Sequence, residues 1–120
     1  MSSLAGSLDV DENGASDALT DGLLVLRRLF GFSGGALVEG AVSPDAQRTA
    51  AVAIGDYIDG LGNTLDIDLN GQVGALTDGL LILRRLFGFA GDALIADAVA
   101  PDAQIKYLGI NYLTFCLTIY

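Results

Sequence analysis

The chain has 120 residues, 52% of them apolar, which is enough for one compact domain with a core. It has no His and one cysteine, Cys116, which excludes an internal disulfide and a thiolate cluster and argues against a zinc site or a His-dependent enzyme. The formal net charge of −9 argues against nucleic acid or anionic lipid as a partner.

The chain start lacks the basic and apolar regions of a signal peptide, so none is predicted. We expect either a cytoplasmic chain or a piece cut from a longer exported protein. The longest apolar stretch without a charge, residues 107–120, is too short to span a bilayer as a helix.

The chain contains an internal duplication. Residues 8–47 align with residues 65–104 at an offset of 57, and 28 of these 40 positions are identical. Two copies predict a closed pair of modules with pseudo-twofold symmetry rather than a solenoid. We therefore predict one domain, residues 1–104, in which residues 48–64 form a connecting helix and linker, followed by an apolar tail at 105–120.

Each repeat begins with an acidic loop of the form DxDxNG. Alternating carboxylate and amide side chains, a glycine at the turn and a final carboxylate on the next helix are typical of calcium loops, since Ca²⁺ takes six to eight oxygen ligands. The expected ligands of two Ca²⁺ ions are Asp9, Asp11, Asn13, the Ala15 carbonyl, Asp17 and Asp21 in the first loop, and Asp66, Asp68, Asn70, the Gln72 carbonyl and Asp78 in the second. The alternative is a simple turn, because Asp and Asn favour turns without a metal.

Both loops depart from the EF-hand pattern in the same way. The closing carboxylate, Asp21 or Asp78, stands thirteenth from the first Asp instead of twelfth, so each loop has one extra residue. Asp17 has no counterpart in the second loop, where Gly74 stands. The second site is therefore predicted to be weaker or to hold an additional water.

An apolar helix follows each loop, and the predicted fold is all-α. Thr20 and Thr77 are predicted N-caps of helices at 21–30 and 78–87, which Gly31 and Gly88 end. These helices are apolar nearly all round, so we expect each to be covered by its twin. The phenylalanines are predicted to lie in the core; they are Phe30, Phe32, Phe87 and Phe89.

A second helix is predicted in each repeat. Pro44 and Pro101 are expected to open it, and in the first repeat it should cover residues 45–59. In the second repeat the apolar tail replaces most of it, and Cys116 within that tail is expected to be inert.

Residues 8–30 and 65–87 resemble the type I dockerin family, in which two calcium loops are each followed by one helix. The resemblance implies a non-catalytic anchoring module that binds a cohesin domain and recruits polysaccharide-degrading enzymes to extracellular or cell-surface scaffolds. Dockerin helices often carry a basic residue about six positions past the closing Asp. The residues there, with their neighbours, are Arg27, Arg28, Arg84 and Arg85.

These arginines have two possible roles. They are either partner-binding residues, since arginine is enriched at interfaces, or solvated residues near a helix C-terminus, where cations are favoured. The leading hypothesis is a calcium-dependent interaction module, and the alternative is a calcium-stabilised structural domain without a receptor. A calcium sensor ranks lower because the chain has one Met, and an enzyme is not expected because the loops account for the clustered carboxylates.

Overall fold

The computed structural model describes residues 8–67 and 71–98, apart from the side chain of Asn63. These residues form helices and no strand, which confirms the all-α prediction. No helix in this part of the chain is long and apolar enough to cross a membrane. Four predicted features lie outside the described residues: the ligands Asp68 and Asn70, the helix after Pro101 and the tail at 105–120.

Five α-helices follow one another in the described ranges. They are α1 (Leu23–Leu29), α2 (Gly34–Val38), α3 (Ala51–Leu61), α4 (Leu80–Leu86) and α5 (Gly91–Ile95). Helices α1 and α4 are each preceded by a π-helical turn, at Ala18–Gly22 and Ala75–Gly79, and α3 continues into a 3₁₀ turn at Gly62–Leu65.

The predicted starts of the two loop-following helices are wrong. Thr20 and Thr77 lie inside the π turns, which the extended residues Asp17 and Gly74 precede, so neither Thr is an N-cap. In each π turn a hydrogen bond joins two residues that are five positions apart. The Gly22 N–H donates to the Asp17 carbonyl at 3.0 Å, and the Gly79 N–H donates to the Gly74 carbonyl at 3.0 Å. A π turn holds one more residue than an α turn, so the extra loop residue is accommodated at the start of the helix.

Glycine ends both helices as predicted. Gly31 and Gly88 have φ of +95° and +97°, and their N–H groups donate to the Arg28 and Arg85 carbonyls at 2.9 and 2.8 Å. This left-handed conformation costs glycine little because it has no Cβ. The connectors beyond them contain the short helices α2 and α5.

The second helix of the first repeat starts later than predicted. It covers Ala51–Leu61 instead of 45–59, and Pro44 and Asp45 lie in a turn. The reason is that the backbone N–H groups of Gln47 and Arg48 each donate to the Asp11 carbonyl of the loop at 3.0 Å. These bonds hold residues 47 and 48 against the loop, and α3 begins beyond them.

The core lies where α1 and α4 meet. Leu24, Val25, Leu81 and Ile82 are fully buried, and Leu8, Ile54 and Ile58 pack into the same cluster. A Cβ at Gly22 would lie 2.9 Å from Leu83 Cδ1, and one at Gly79 would lie 3.0 Å from Leu26 Cδ1. Each π turn therefore packs closely on the other repeat's helix, as the apolar pattern of the helices required.

The predicted burial of the phenylalanines is wrong. Phe30 and Phe87 are each 52% exposed, and Phe32 and Phe89 are 43% and 44% exposed. They follow the last helical turn on each side, beyond the region that the twin helix covers. The five-residue helices α2 and α5 bury one leucine each, Leu37 and Leu94, and leave these rings in contact with solvent.

Candidate metal centre

Three carboxylates of the first loop converge. One oxygen each from Asp9, Asp11 and Asp21 lies within 4.8 Å of the other two. Asp11 and Asp21 are fully buried, and Asp9 is half-buried. Three negative groups at this distance repel each other unless a proton or a cation lies among them.

The π turn determines where Asp21 points. The Asp17 N–H donates to its Oδ2 at 2.8 Å, and the Asp11 N–H donates to its Oδ1 at 3.2 Å. Both oxygens thus fasten the loop to the helix, and Oδ2 also accepts from the Thr20 hydroxyl at 3.4 Å. Burial is the main cause that raises the pKa of Asp21 from 3.8 to about 6, and the charge of Asp11 adds to the increase. Backbone N–H groups oppose this shift without cancelling it.

Asp11 has the least satisfied carboxylate of the three. Its Oδ2 accepts a hydrogen bond from the Ser43 N–H at 2.9 Å. Its Oδ1 is buried and has no hydrogen-bond partner among the described residues. An unpaired carboxylate oxygen shielded from water is costly, and coordination of a cation removes that cost.

The rest of the first loop is ordered by its own polar groups. Asp9 accepts from the Asn13 N–H at 3.2 Å and from the Gly14 N–H at 3.0 Å. Gly14 has φ of +96°, the conformation for which a glycine was expected in the turn. Asn13 Oδ1 accepts from the Ala15 N–H at 3.1 Å, and Asn13 Nδ2 donates to exposed Asp17 at 3.5 Å. Asp17 is not one of the three clustered carboxylates. The carbonyl expected at Ala15 is a backbone group and is not counted in that cluster.

The described part of the second loop repeats this arrangement. Asp78 is fully buried, and its oxygens accept from the Ile67 N–H at 2.6 Å and the Gly74 N–H at 2.9 Å. Asp66 is 8% exposed; its Oδ2 accepts from the Gly71 N–H at 2.9 Å, and its buried Oδ1 has no partner among the described residues. Gln72 is exposed, and Asp68 and Asn70 lie outside the described range. Each loop therefore contains one buried carboxylate oxygen that no described residue satisfies.

Sequence reasoning missed the residues that hold the first loop from outside. Ser43, Gln47 and Arg48 donate backbone hydrogen bonds to Asp11, and the Arg48 guanidinium donates to the Val10 carbonyl at 2.6 Å. Nothing in the local pattern indicates this contact, because the residues are more than thirty positions apart. The presence of Arg48 in an otherwise apolar and acidic region was the one available signal.

The four arginines considered for partner binding all contact their own chain. Arg27 donates to the Leu37 and Glu39 carbonyls at 3.0 and 2.8 Å. Arg84 donates in the same manner to the Leu94 and Ala96 carbonyls at 3.1 and 2.7 Å.

Arg28 and Arg85 have related contacts. Arg28 forms a two-point ion pair with Asp59, at 3.0 Å and 2.7 Å, and also donates to the Phe32 carbonyl at 3.0 Å. Arg85 donates to the Phe89 carbonyl at 2.9 Å. In this conformation the arginines stabilise the ends of α1 and α4 and the connecting segments that follow these helices in the chain.

Comparison of this chain with protein-family models, with curated proteins and with solved structures gave no match.

Proposed function

We propose that this chain is a calcium-binding, non-catalytic interaction module built from two loop–helix repeats in a pseudo-twofold arrangement. The observation that carries the proposal is the Oδ1 atom of Asp11, which is buried and without a partner among the described residues, beside oxygens of Asp9 and Asp21. A cation would satisfy that oxygen and neutralise the repulsion within the cluster at once.

The donor set favours Ca²⁺. The clustered atoms are carboxylate oxygens, the chain has no His, and its one Cys is not in a loop, so soft or borderline metals lack their usual ligands. The loop supplies side chains from an irregular turn, which suits the irregular coordination of Ca²⁺ better than the strict octahedron of Mg²⁺. Two ions, one per loop, follow from the repeat, and binding of metal should be coupled to ordering of the loops.

The first experiment replaces Asp11 with Asn. We expect the first site to lose roughly a factor of ten or more in calcium affinity, because a charged ligand is removed. The metal-free variant should melt at a higher temperature than the metal-free parent, because a buried charge is gone and the new amide can donate to Asp9 or Asp21. Calorimetric titration and thermal melting measure both effects.

Asp56→Asn, an exposed position on α3, is the matched control and should change neither quantity. Unaltered calcium binding by the Asp11→Asn protein would reject the first loop as the binding site.

Exposed apolar residues, paired between the repeats, support the interaction role. Leu19 and Leu76 are each 65% exposed at the ends of the two loops, and Phe30 and Phe87 are each 52% exposed at the ends of α1 and α4. Because both leucines lie in the π turns that carry Asp21 and Asp78, a cation that orders the turns also positions these side chains. A cohesin-like receptor, in an extracellular or cell-surface setting, is the partner we propose.

A pull-down with a recombinant cohesin domain tests this role. We expect capture in calcium that chelator abolishes and that the double variant Leu19→Ser, Leu76→Ser weakens, with calcium affinity unchanged. The pair Arg27→Ala, Arg84→Ala tests whether the arginines also contribute, provided that the circular dichroism spectrum stays intact. Capture that persists in chelator would exclude a calcium-dependent module.

The alternative is a calcium-stabilised structural domain without a receptor. It is favoured by the fact that all four arginines donate to acceptors within their own chain. This alternative predicts the same calcium binding and stabilisation without capture by any cohesin.

A further inference from the structure

A segment of the first repeat lies across the first loop and contacts the buried Asp11. Residues 43–48, here called the strap, follow α2 and precede α3. The Ser43 N–H donates to Asp11 Oδ2 at 2.9 Å, and the Gln47 and Arg48 N–H groups both donate to the Asp11 carbonyl at 3.0 Å. Three donors from the strap therefore fix the backbone and the side chain of one proposed ligand.

The Arg48 side chain joins the strap to two other parts of the chain. It donates to the Val10 carbonyl at 2.6 Å and pairs with Glu12 at 3.3 Å, so it contacts the loop on both sides of Asp11. Its guanidinium carbon also lies 4.0 Å from the centroid of the Tyr57 ring on α3, a distance typical of a cation–π contact. The Arg48 side chain is only 20% exposed.

The second repeat lacks these residues in its sequence. At the offset of 57 that aligns the repeats, Ile105 stands in place of Arg48, Leu69 in place of Glu12, and Thr114 in place of Tyr57. None of the three can supply the charge or the ring that the contact in the first repeat uses.

We propose that Arg48 is a positioning residue for the first cation site, and that its side-chain contacts make this site bind calcium more tightly than the second. The inference rests on the proposed function. A loop already held in shape has less conformational freedom to lose when the ion binds. The positive charge of Arg48 opposes cation binding, but the Glu12 carboxylate, 3.3 Å away, offsets that charge. We expect the ordering effect to exceed the remaining repulsion.

The test titrates the full chain with Ca²⁺ and measures the heat of binding by calorimetry. The parent protein should titrate in two phases. Arg48→Met keeps the length of the side chain and removes its charge and donors, so the tighter phase should weaken roughly tenfold. The weaker phase should stay within about twofold, since Ile105 stands at the position of Arg48 in the second repeat.

Two further variants separate position from charge. Arg48→Lys keeps the charge but loses the planar fork and its stacking on Tyr57, so it should weaken the same phase several-fold. Thr49→Ala changes the exposed side chain next to Arg48 and should leave both phases unaltered.

Terbium luminescence provides a readout that assigns the affected phase to the first site. Tb³⁺ is a hard cation that accepts the same oxygen ligands, and nearby tyrosine sensitises it. Tyr57 is close to the first loop, since the Arg48 guanidinium that lies over its ring also donates to the Val10 carbonyl. The emission that is lost in Tyr57→Phe comes from Tb³⁺ at the first site. In Arg48→Met, this emission should appear only at a higher Tb³⁺ concentration.

The possible outcomes are distinct. Unchanged or tighter binding in the first phase of Arg48→Met, or equal weakening of both phases, would overturn the role of Arg48 and leave calcium binding in place. No binding by the parent protein would reject the proposed function itself. If Arg48→Met fails to fold in calcium, as judged by circular dichroism, Arg48→Lys decides the question by the same criteria.

Discussion

At the scale of single residues, the decisive feature is that carboxylates are buried beside one another. Asp11 and Asp21 are both 0% exposed, and the chain places them among backbone N–H donors instead of arginine or lysine side chains. Such donors orient a carboxylate without removing its net charge. The arrangement is costly without a cation and favourable with one, which is the condition expected of a metal site.

The metal-free protein should become more stable as the pH falls from 7 to 5. The pKa of Asp21 is about 6 in the folded chain, against an ordinary value of 3.8. Between these values the folded state binds more protons than the unfolded state, so the free energy of unfolding falls as the pH rises through this window. The destabilisation is complete about one pH unit above the folded pKa.

Thermal melting of chelated and desalted protein at pH 5 and pH 7 measures this effect. The higher melting temperature is expected at pH 5, and Asp21→Asn should remove most of the difference. A metal-free protein that melts at a lower temperature at pH 5 would contradict the raised pKa. Saturating Ca²⁺ should reverse the order, because the ion replaces the proton.

At the scale of elements, the π turns connect the loops to the helices. Each turn holds one residue more than an α turn, and that residue brings Asp21 or Asp78 to the loop from the thirteenth position. Helices α1 and α4 then end at glycine. Near these ends, Arg27 donates to carbonyls at the C-terminal end of α2, and Arg84 donates to carbonyls at the C-terminal end of α5. Each arginine thereby joins a long helix to the short helix that follows it.

Arg27→Met should lower the free energy of unfolding by about 1–3 kcal/mol, because the Leu37 and Glu39 carbonyls lose a charged donor. The matched control is Asp59→Asn, which breaks an ion pair whose carboxylate is 56% exposed and should cost less than about 1 kcal/mol. Chemical denaturation of both proteins in calcium gives the comparison. An Arg27→Met protein as stable as its parent would mean that its contacts at the end of α1 contribute little.

Sequence spacing predicts part of these elements and misses others for physical reasons. The alternation of Asp9, Asp11 and Asn13 and the position of Gly14 predict the loop, because the hydrogen bonds that Asp9 accepts and the positive φ of Gly14 are local. The π turn has no local sequence signal, so the helix start predicted at residue 21 falls three positions after Ala18. A helix is predicted from residue 45 because the Pro44 pattern favours one, whereas hydrogen bonds to Asp11, thirty-two positions away for Ser43, determine the shape of the strap.

At the scale of the whole molecule, the two loops and the two helices depend on each other. The π turn of each repeat packs on the helix of the other, with Gly22 against Leu83 and Gly79 against Leu26. Cation binding at a loop should therefore stabilise the shared core as well as the loop. With a formal net charge of −9, the chain would also gain from neutralisation by two divalent ions.

The most direct test is a calorimetric titration of the metal-free protein with Ca²⁺, together with thermal melting at each calcium level. The account predicts two ions bound per chain and a melting temperature that rises with calcium concentration, because the ions bind the folded state. Mg²⁺ should stabilise much less. If neither the heat, the circular dichroism spectrum nor the melting temperature changes in millimolar Ca²⁺, the buried carboxylates of these loops do not form a calcium site.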